Sequence, residues 1–260
     1  MKKIFLLSLS FLFVTSSVWA VNYCADSNMK AAYYLNETSG NALDCTSNAN
    51  NCTNTSVTRN VTGKYGQAYD FTQINNASLS CGSAASVDDI VSISAGTWLQ
   101  PDTDGSNDGV ACNAASIITK DPSSSGWGFC MQTTAQLRYC QKWTGGRVCW
   151  TTTDTPLTFD GTTWQHVAVT YAGTGTGTDP LIYKDGASRT VGNQTPFGTR
   201  ESDAALTLSI GSEGGNLGEA DTRMDEPFLY SGILTSTQIN DIKDNGLTPA
   251  AAARRAGLAS

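Results

Sequence analysis

The sequence predicts an all-β, antiparallel two-sheet sandwich with one short C-terminal helix, and three observations point there. Apolar and polar residues alternate through the longer segments, as in "DDIVSISAGTWLQP", where Val91, Ile93, Ala95, Thr97 and Leu99 interleave with Ser92, Ser94, Gly96 and Trp98, the period of a half-buried strand. "PLIYKDGASRTV" places Asp185-Gly186 between two short runs, a strong hairpin signal. Only 15% of residues are charged while Thr, Ser, Asn and Gly abound, a mix suited to strands joined by tight turns.

The elements follow in order. "MKKIFLLSLSFLFVTSSVWA" has Lys2 and Lys3 ahead of an apolar run at residues 4–14, then Val18 and Ala20 at the −3 and −1 places. It is expected to be a signal peptide, residues 1–20, cut before Val21. The run is shorter than the roughly 18 apolar residues of a membrane span. After the strand at 91–99, "ASIITKDP" is a strand ending at Pro122. "GWGFCMQTT" and "QLRYCQKW" flank a tight turn, and "GRVCWTTT" follows Thr144-Gly145-Gly146. "TWQHVAVTY" sets Trp164, His166, Ala168 and Thr170 on one face and Gln165, Val167, Val169 and Tyr171 on the other, as a central strand would. The hairpin at 180–191, "LTLSIGS" and "TRMDEPFLY" complete the strands. The helix is marked by Thr235 as its cap, Gln238 three residues on, the apolar Ile239 and Ile242, and Asn245-Gly246 as its stop. One domain over residues 21–247 is the economical count, and residues 248–260 form a tail with little to bury.

Formal net charge is −7, and −9 without Lys2 and Lys3. With no basic stripe, nucleic acid is not an expected partner. Eight cysteines behind a leader (Cys24, Cys45, Cys52, Cys81, Cys112, Cys130, Cys140 and Cys149) imply disulfides and an oxidising location, extracellular or periplasmic. Cys45 and Cys52 are close enough to clip their own loop, which leaves Cys24 for Cys81. Alternation puts Cys130, Cys140 and Cys149 on one outward face. A turn centred on Ala135 would pair Cys130 with Cys140, whereas a two-residue turn at Thr144-Gly145 would pair Cys140 with Cys149. The leftover cysteine would take Cys112.

His166 is the single histidine. No second His, H-E-x-x-H or G-x-S-x-G accompanies it, so a structural role is expected. Six N-x-S/T sequons, at Asn36, Asn51, Asn54, Asn60, Asn76 and Asn193, are what a Ser- and Thr-rich chain produces by chance.

"TTWQHVAVTYAG", "PLIYKDGASR", "LSIGSEGG" and "TRMDEPFLYSGILTSTQINDI", with the earlier "AAYYLNETSGNALDCTSN", "GKYGQAYDF" and "VSISAGTWLQPD", together resemble the laminin G-like, concanavalin A-like jelly-roll family. The resemblance covers residues 24–246. It implies a jelly-roll sandwich and a structural calcium at the positions matching Asp44 and Asp225. Residues 101–114, "PDTDGSNDGVACNA", look inserted relative to that pattern. Within them Asp102, Asp104, Ser106 and Asp108 alternate as the oxygen ligands of a calcium loop do, although Asn113 stands where such a loop ends in Glu. Glu219 and Asp221, with Arg223 and Asp225 beyond, evoke the paired carboxylates of a glycoside hydrolase, about 5–5.5 Å apart in retaining enzymes; Arg223 occupies the third acidic place and Glu226 falls on the opposite face. Trp127 and Trp143, near turns beside Arg138 and Lys142, could offer a sugar its stacking platform.

The reading reached is a secreted recognition module that binds a carbohydrate or another extracellular surface ligand, with calcium as a structural cofactor. A structural subunit that packs against its own copies, and a carbohydrate-active hydrolase using Glu219 and Asp221, are the alternatives.

Overall fold

The computed structural model describes residues 21–105, 115–120, 125–174, 178–213 and 217–248. The expected leader at 1–20, Asp108, Cys112 and the tail beyond 248 lie outside these.

Among the described residues fifteen strands form two antiparallel sheets. They are β1 (Met29–Ala32), β2 (Thr53–Thr55), β3 (Thr58–Thr62), β4 (Gln67–Phe71), β5 (Ser78–Ser80), β6 (Ile93–Pro101), β7 (Ala115–Lys120), β8 (Trp127–Met131), β9 (Leu137–Trp143), β10 (Gly146–Thr151), β11 (Gln165–Tyr171), β12 (Leu181–Lys184), β13 (Ala187–Arg189), β14 (Ser209–Ile210) and β15 (Thr222–Ser231), followed by helix α1 (Ser236–Asn245). One sheet runs β13-β12-β11-β6-β15-β4-β3, with β1 also on β15; the other runs β10-β9-β8-β7-β14-β5-β2. The sandwich and, among the described residues, the one α-helix are those expected.

Between the sheets lies the main core, to which β11 contributes Val167, Val169 and Tyr171 and β6 contributes Ile93, Ala95 and Leu99. Its aromatic centre is a run of rings: Trp127 against Tyr139 at 6.5 Å, Tyr139 against Trp150 at 6.2 Å, and Tyr171 against both. A second apolar cluster covers the outer face of the first sheet, where Ala168, Tyr183 and Phe228 meet Ile239 and Ile242 of α1 and Tyr23. That cover explains why β6 is buried at every position instead of half-buried as its alternation predicts. The helix carries the expected capping box, Gln238 N donating to Thr235 Oγ1 and Thr235 N to Gln238 Oε1. The backbone N–H of Tyr23 donates to Leu247 O at 2.9 Å.

β15 changes neighbours along its length. Thr222 to Met224 pair with β4, and Phe228 to Tyr230 pair with β1. Between them the register against β6 slips by one residue, from Asp225 opposite Trp98 to Phe228 opposite Gly96. Glu226 takes up this bulge with φ +51°, a left-handed conformation uncommon for a residue with a side chain. The bulge corrects the simple alternation. Glu226 is buried and accepts Leu247 N at 2.8 Å, in the apolar layer under α1 and not across the sheet from Asp225.

The disulfides correct the expected pairing at the N-terminal end. Cys24 bonds Cys45, and Cys52 bonds Cys81. Cys45 and Cys52 cannot clip their own loop because they belong to different layers: Cys45 packs with Cys24 on the outer cluster, while Cys52 points into the main core. In the second sheet Cys140 lies directly opposite Cys149 and bonds it, as the two-residue turn at Thr144-Gly145 predicts. The other alternative fails by two residues of register, because Cys130 faces Arg138 and Cys140 faces Gly128. Cys130 is disulfide-bonded too, and it shares the face of Cys140 and Cys149.

Candidate functional site

Asp44 sits beside β1 and organises the loop that follows it. Its Oδ1 accepts Ala32 N at 3.1 Å and Thr46 N at 2.9 Å, and its Oδ2 accepts Thr46 Oγ1 at 2.9 Å and Asn50 N at 2.8 Å. Four donors point hydrogen at one carboxylate, so the lone pairs a calcium ion needs are already engaged. Asp225 is buried and its Oδ2 accepts Tyr65 N at 2.7 Å. Among the described residues no group of three His, Cys, Asp or Glu side chains is arranged to hold a metal ion. In this arrangement Asp44 spends its oxygens on its own loop, which leaves it little to offer the ion the family resemblance implies. In the inserted segment Asp102 is exposed and Asp104 half-buried. Burial first, then the nearby Asp221, raise the carboxyl of Asp102, while Arg223 opposes them.

The carboxylates expected to pair do different things. Glu219 is buried. Asp221 accepts Thr103 Oγ1 at 2.7 Å, and its carbonyl takes Asp102 N at 3.0 Å. Arg223, at the third position, donates to Gln100 Oε1 at 2.9 Å and lies 3.7 Å from Asp70, so it fills the space a third acid would need.

The aromatic platform expected of Trp127, Trp143 and Arg138 is not assembled. Trp127 is inside the main core, stacked on Tyr139. On β9, positions 138 and 143 have opposite parity, so Arg138 points out while Trp143 points in. Arg138 Nε donates to Thr151 Oγ1 at 2.9 Å, and burial lowers the pKa of its guanidinium. Trp143 does reach a site, for it forms one wall of an open cleft of about 460 Å³ lined also by Val91, Gly173, Thr174, Gly198, Thr199 and Arg200.

This cleft lies at the pole of the sandwich where β6 begins, β11 ends and the β9–β10 turn closes. One wall is a strap. Thr144 N donates to Thr199 O, Gly145 N to Phe197 O at 3.1 Å, and Thr199 N to Thr144 Oγ1, so residues 197–200 clasp the turn. Phe197, next to the lining residue Gly198, has 78% of its surface exposed, and Val91 lines the cleft with 54% exposed. Gly145 is needed beneath Phe197, since a Cβ there would fall 2.4 Å from the ring. Gly173, at φ +67°, is held for the same reason, because a Cβ would meet Val91 O at 1.9 Å.

Behind the cleft an ion network fixes the strap to the second sheet. Arg200 donates to Ile90 O at 3.0 Å and lies 3.6 Å from both Asp89 and Asp203. Asp203 in turn meets Lys120 of β7 at 3.3 Å, and Lys120 also bonds Asp88 at 2.5 Å. Lys120 and Asp203 are fully buried. Phe197, Arg200 and Lys120 escaped the sequence reading. The run Thr195-Pro196-Phe197-Gly198 has no periodicity, although a phenylalanine between Pro and Gly, where chains turn, was a signal that an apolar ring would be presented at the surface.

His166 is buried on the outer face of β11, edge-on to Trp98 at 5.3 Å. Neither ring nitrogen has a hydrogen-bond partner, and burial drives its pKa down to about 3. It is neutral packing material at ordinary pH, away from the cleft.

Residues 71–240 match the protein family described as the Concanavalin A-like lectin/glucanases superfamily. No curated protein sequence matches the chain. Among solved structures it is similar to the binding domain of Paraclostridial mosquitocidal protein 1, at 16% identity and a TM-score of 0.62 over 84% of this chain and 52% of that one. It is also similar to domain 4 of AbnA, a GH43 extracellular arabinanase from Geobacillus stearothermophilus solved in complex with arabinotriose, at 16% identity and 0.56, over 84% of this chain and 98% of that domain. Trypanosoma rangeli sialidase aligns at 12% identity and 0.58, over 85% of this chain and 33% of the enzyme. Identities this low establish a shared fold. The chain spans about half the length of the mosquitocidal binding domain it matches.

Proposed function

Because the chain belongs to the Concanavalin A-like lectin/glucanases superfamily, we propose that it is a binding module that works outside the cytoplasm and takes a glycan or another surface ligand in the cleft beside Trp143. The observation that carries this reading is Phe197, 78% exposed next to the lining residue Gly198 of a cleft walled by Trp143, with its carbonyl accepting Gly145 N and its ring lying over Gly145. An exposed aromatic ring beside a concave site is what stacking on a sugar face requires. The bonded cysteines favour an oxidising compartment. The binding domains among the structural neighbours agree with recognition in place of catalysis, and the residues lining the cleft include no carboxylate. On this reading Asp44 holds its loop through its four hydrogen bonds, with no ion required.

A glycan array probed with the full chain, with and without a calcium chelator, tests it. Binding that survives the chelator and is lost in Phe197→Ala, with the melting temperature unchanged, is the expected result. Binding that is indifferent to Phe197→Ala would move the site elsewhere, and binding abolished by the chelator would restore the ion.

A further inference from the structure

We infer that the ligand of this cleft is an uncharged saccharide, and that the cleft discriminates against uronic, sialic and sulfated sugars. This rests on the reading of the cleft as the binding site. One charged side chain, Arg200, lines the cleft. Its guanidinium is already committed to Ile90 O, Asp89 and Asp203, and its side chain is only 11% exposed. A carboxylate or sulfate on a ligand would have to strip Arg200 from two aspartates, one of them fully buried, to gain a cation.

The surroundings repeat the pattern. Among the described residues near this pole, 90–96, 143–146, 171–174, 197–199 and 231–234 contain no Asp, Glu, Lys, Arg or His, in a chain of net charge −7. An anionic sugar would therefore approach an acidic protein and meet, among the lining residues, only the committed cation of Arg200. A cationic ligand fares no better, because Asp89 is occupied by Arg200, Ser202 Oγ and Asp203 N. What the cleft does expose is Thr174, Gly198 and Thr199 and the apolar surface of Val91, with the ring of Phe197 beside it. Hydroxyls and peptide groups beside an aromatic face match a ring that carries equatorial hydroxyls on its rim and C–H groups on its flat side.

The test uses the full chain and oligosaccharide pairs that differ only in charge, a neutral hexose against the corresponding uronic acid, measured by calorimetry at low and at high NaCl. The neutral member is expected to bind more tightly by about tenfold. Its affinity should stay within about twofold across the salt series, since no ion pair is formed for salt to screen. Phe197→Ala should weaken it, while Lys142→Ala, on the opposite face of β9, should not. Equal or tighter binding of the uronic acid, or an affinity that falls steeply with salt, overturns the inference while leaving the cleft as the site. Absence of binding by both members, with partition of the chain to neutral vesicles or self-association abolished by Phe197→Ala, overturns the glycan reading as well.

Discussion

Replacing Lys120 by methionine tests the internal charge network. The Lys120 ammonium is completely buried, bonded to Asp88 Oδ1 at 2.5 Å, Val87 O at 3.2 Å and Asp203 Oδ1 at 3.3 Å. Methionine keeps the volume and removes the charge. Asp88 is 16% exposed and can turn to water, so its loss is small. Asp203 cannot, for its side chain has no exposure, and it would keep only Arg200 at 3.6 Å and the backbone N–H of Asp89 at 2.7 Å. Breaking a buried pair by removing one partner costs about 3–5 kcal/mol. The retained Arg200 places the expected loss at the lower end, about 3 kcal/mol. For a domain of this size that lowers Tm by about 6–12 °C. Urea denaturation gives the free energy and scanning calorimetry the midpoint. The double variant Lys120→Met/Asp203→Asn should recover about half of the loss, because the stranded charge is gone. A single variant within about 0.5 kcal/mol of the parent, or a double variant less stable than the single, would refute the claim that Asp203 depends on Lys120.

The remaining predictions concern separate parts of the fold. His166 has a folded pKa of about 3 against an ordinary 6.5, so between those values the unfolded chain binds the proton and the folded chain does not. Stability attributable to His166 therefore rises with pH through that window, by about 1.4 kcal/mol per unit, and the parent-minus-His166→Leu difference curve should show that slope and flatten above pH 7. Peptide mapping of the unreduced chain should recover Cys24 linked to Cys45, Cys52 to Cys81 and Cys140 to Cys149; a Cys45–Cys52 peptide would contradict the layer assignment, and opening Cys52–Cys81 alone should cost about 3 kcal/mol. Gly173→Ala, at φ +67° with Val91 O in the way, should lose about 2 kcal/mol or more and weaken cleft binding, whereas Gly192→Ala, where the nearest atom is 3.9 Å away, should leave both intact. Asp44→Ala removes four hydrogen bonds from one loop and should cost about 2–4 kcal/mol in urea denaturation, by the same amount with and without a chelator.

The layered core was legible because burial imposes a period. β6, β11 and the β12–β13 hairpin are spelled out by alternation and by Asp185-Gly186, whose φ values of +51° and +78° are those of the expected tight turn. β2 and β3 were not legible, since "TNT" and "TRNVT" are edge strands whose side chains are mostly polar and exposed in alternation, and a strand with no apolar face writes no hydrophobic pattern. Disulfide partners depend on which layer each sulfur faces, and Cys45 and Cys52 occupy different layers only because of loop geometry the spacing does not encode. The cleft was half legible. Trp143 could be singled out as an aromatic beside a turn, but the strap that brings Phe197 and Arg200 to it depends on contacts between residues more than 50 positions apart, such as Thr144 with Thr199. The buried Lys120 was hidden because a lysine at the end of an apolar run reads as the place where a strand meets water.

The hydrogen bond between Tyr23 and Leu247 means that the polypeptide leaves the domain where it came in, so the folded body is topologically close to a closed loop. Joining those two points with a short linker and reopening the backbone at another surface turn should yield a permuted protein with the same sheets. For the same reason this domain could sit inside a longer chain as a side-branch, held by two adjacent strands of connection, without forcing the segments before and after it apart.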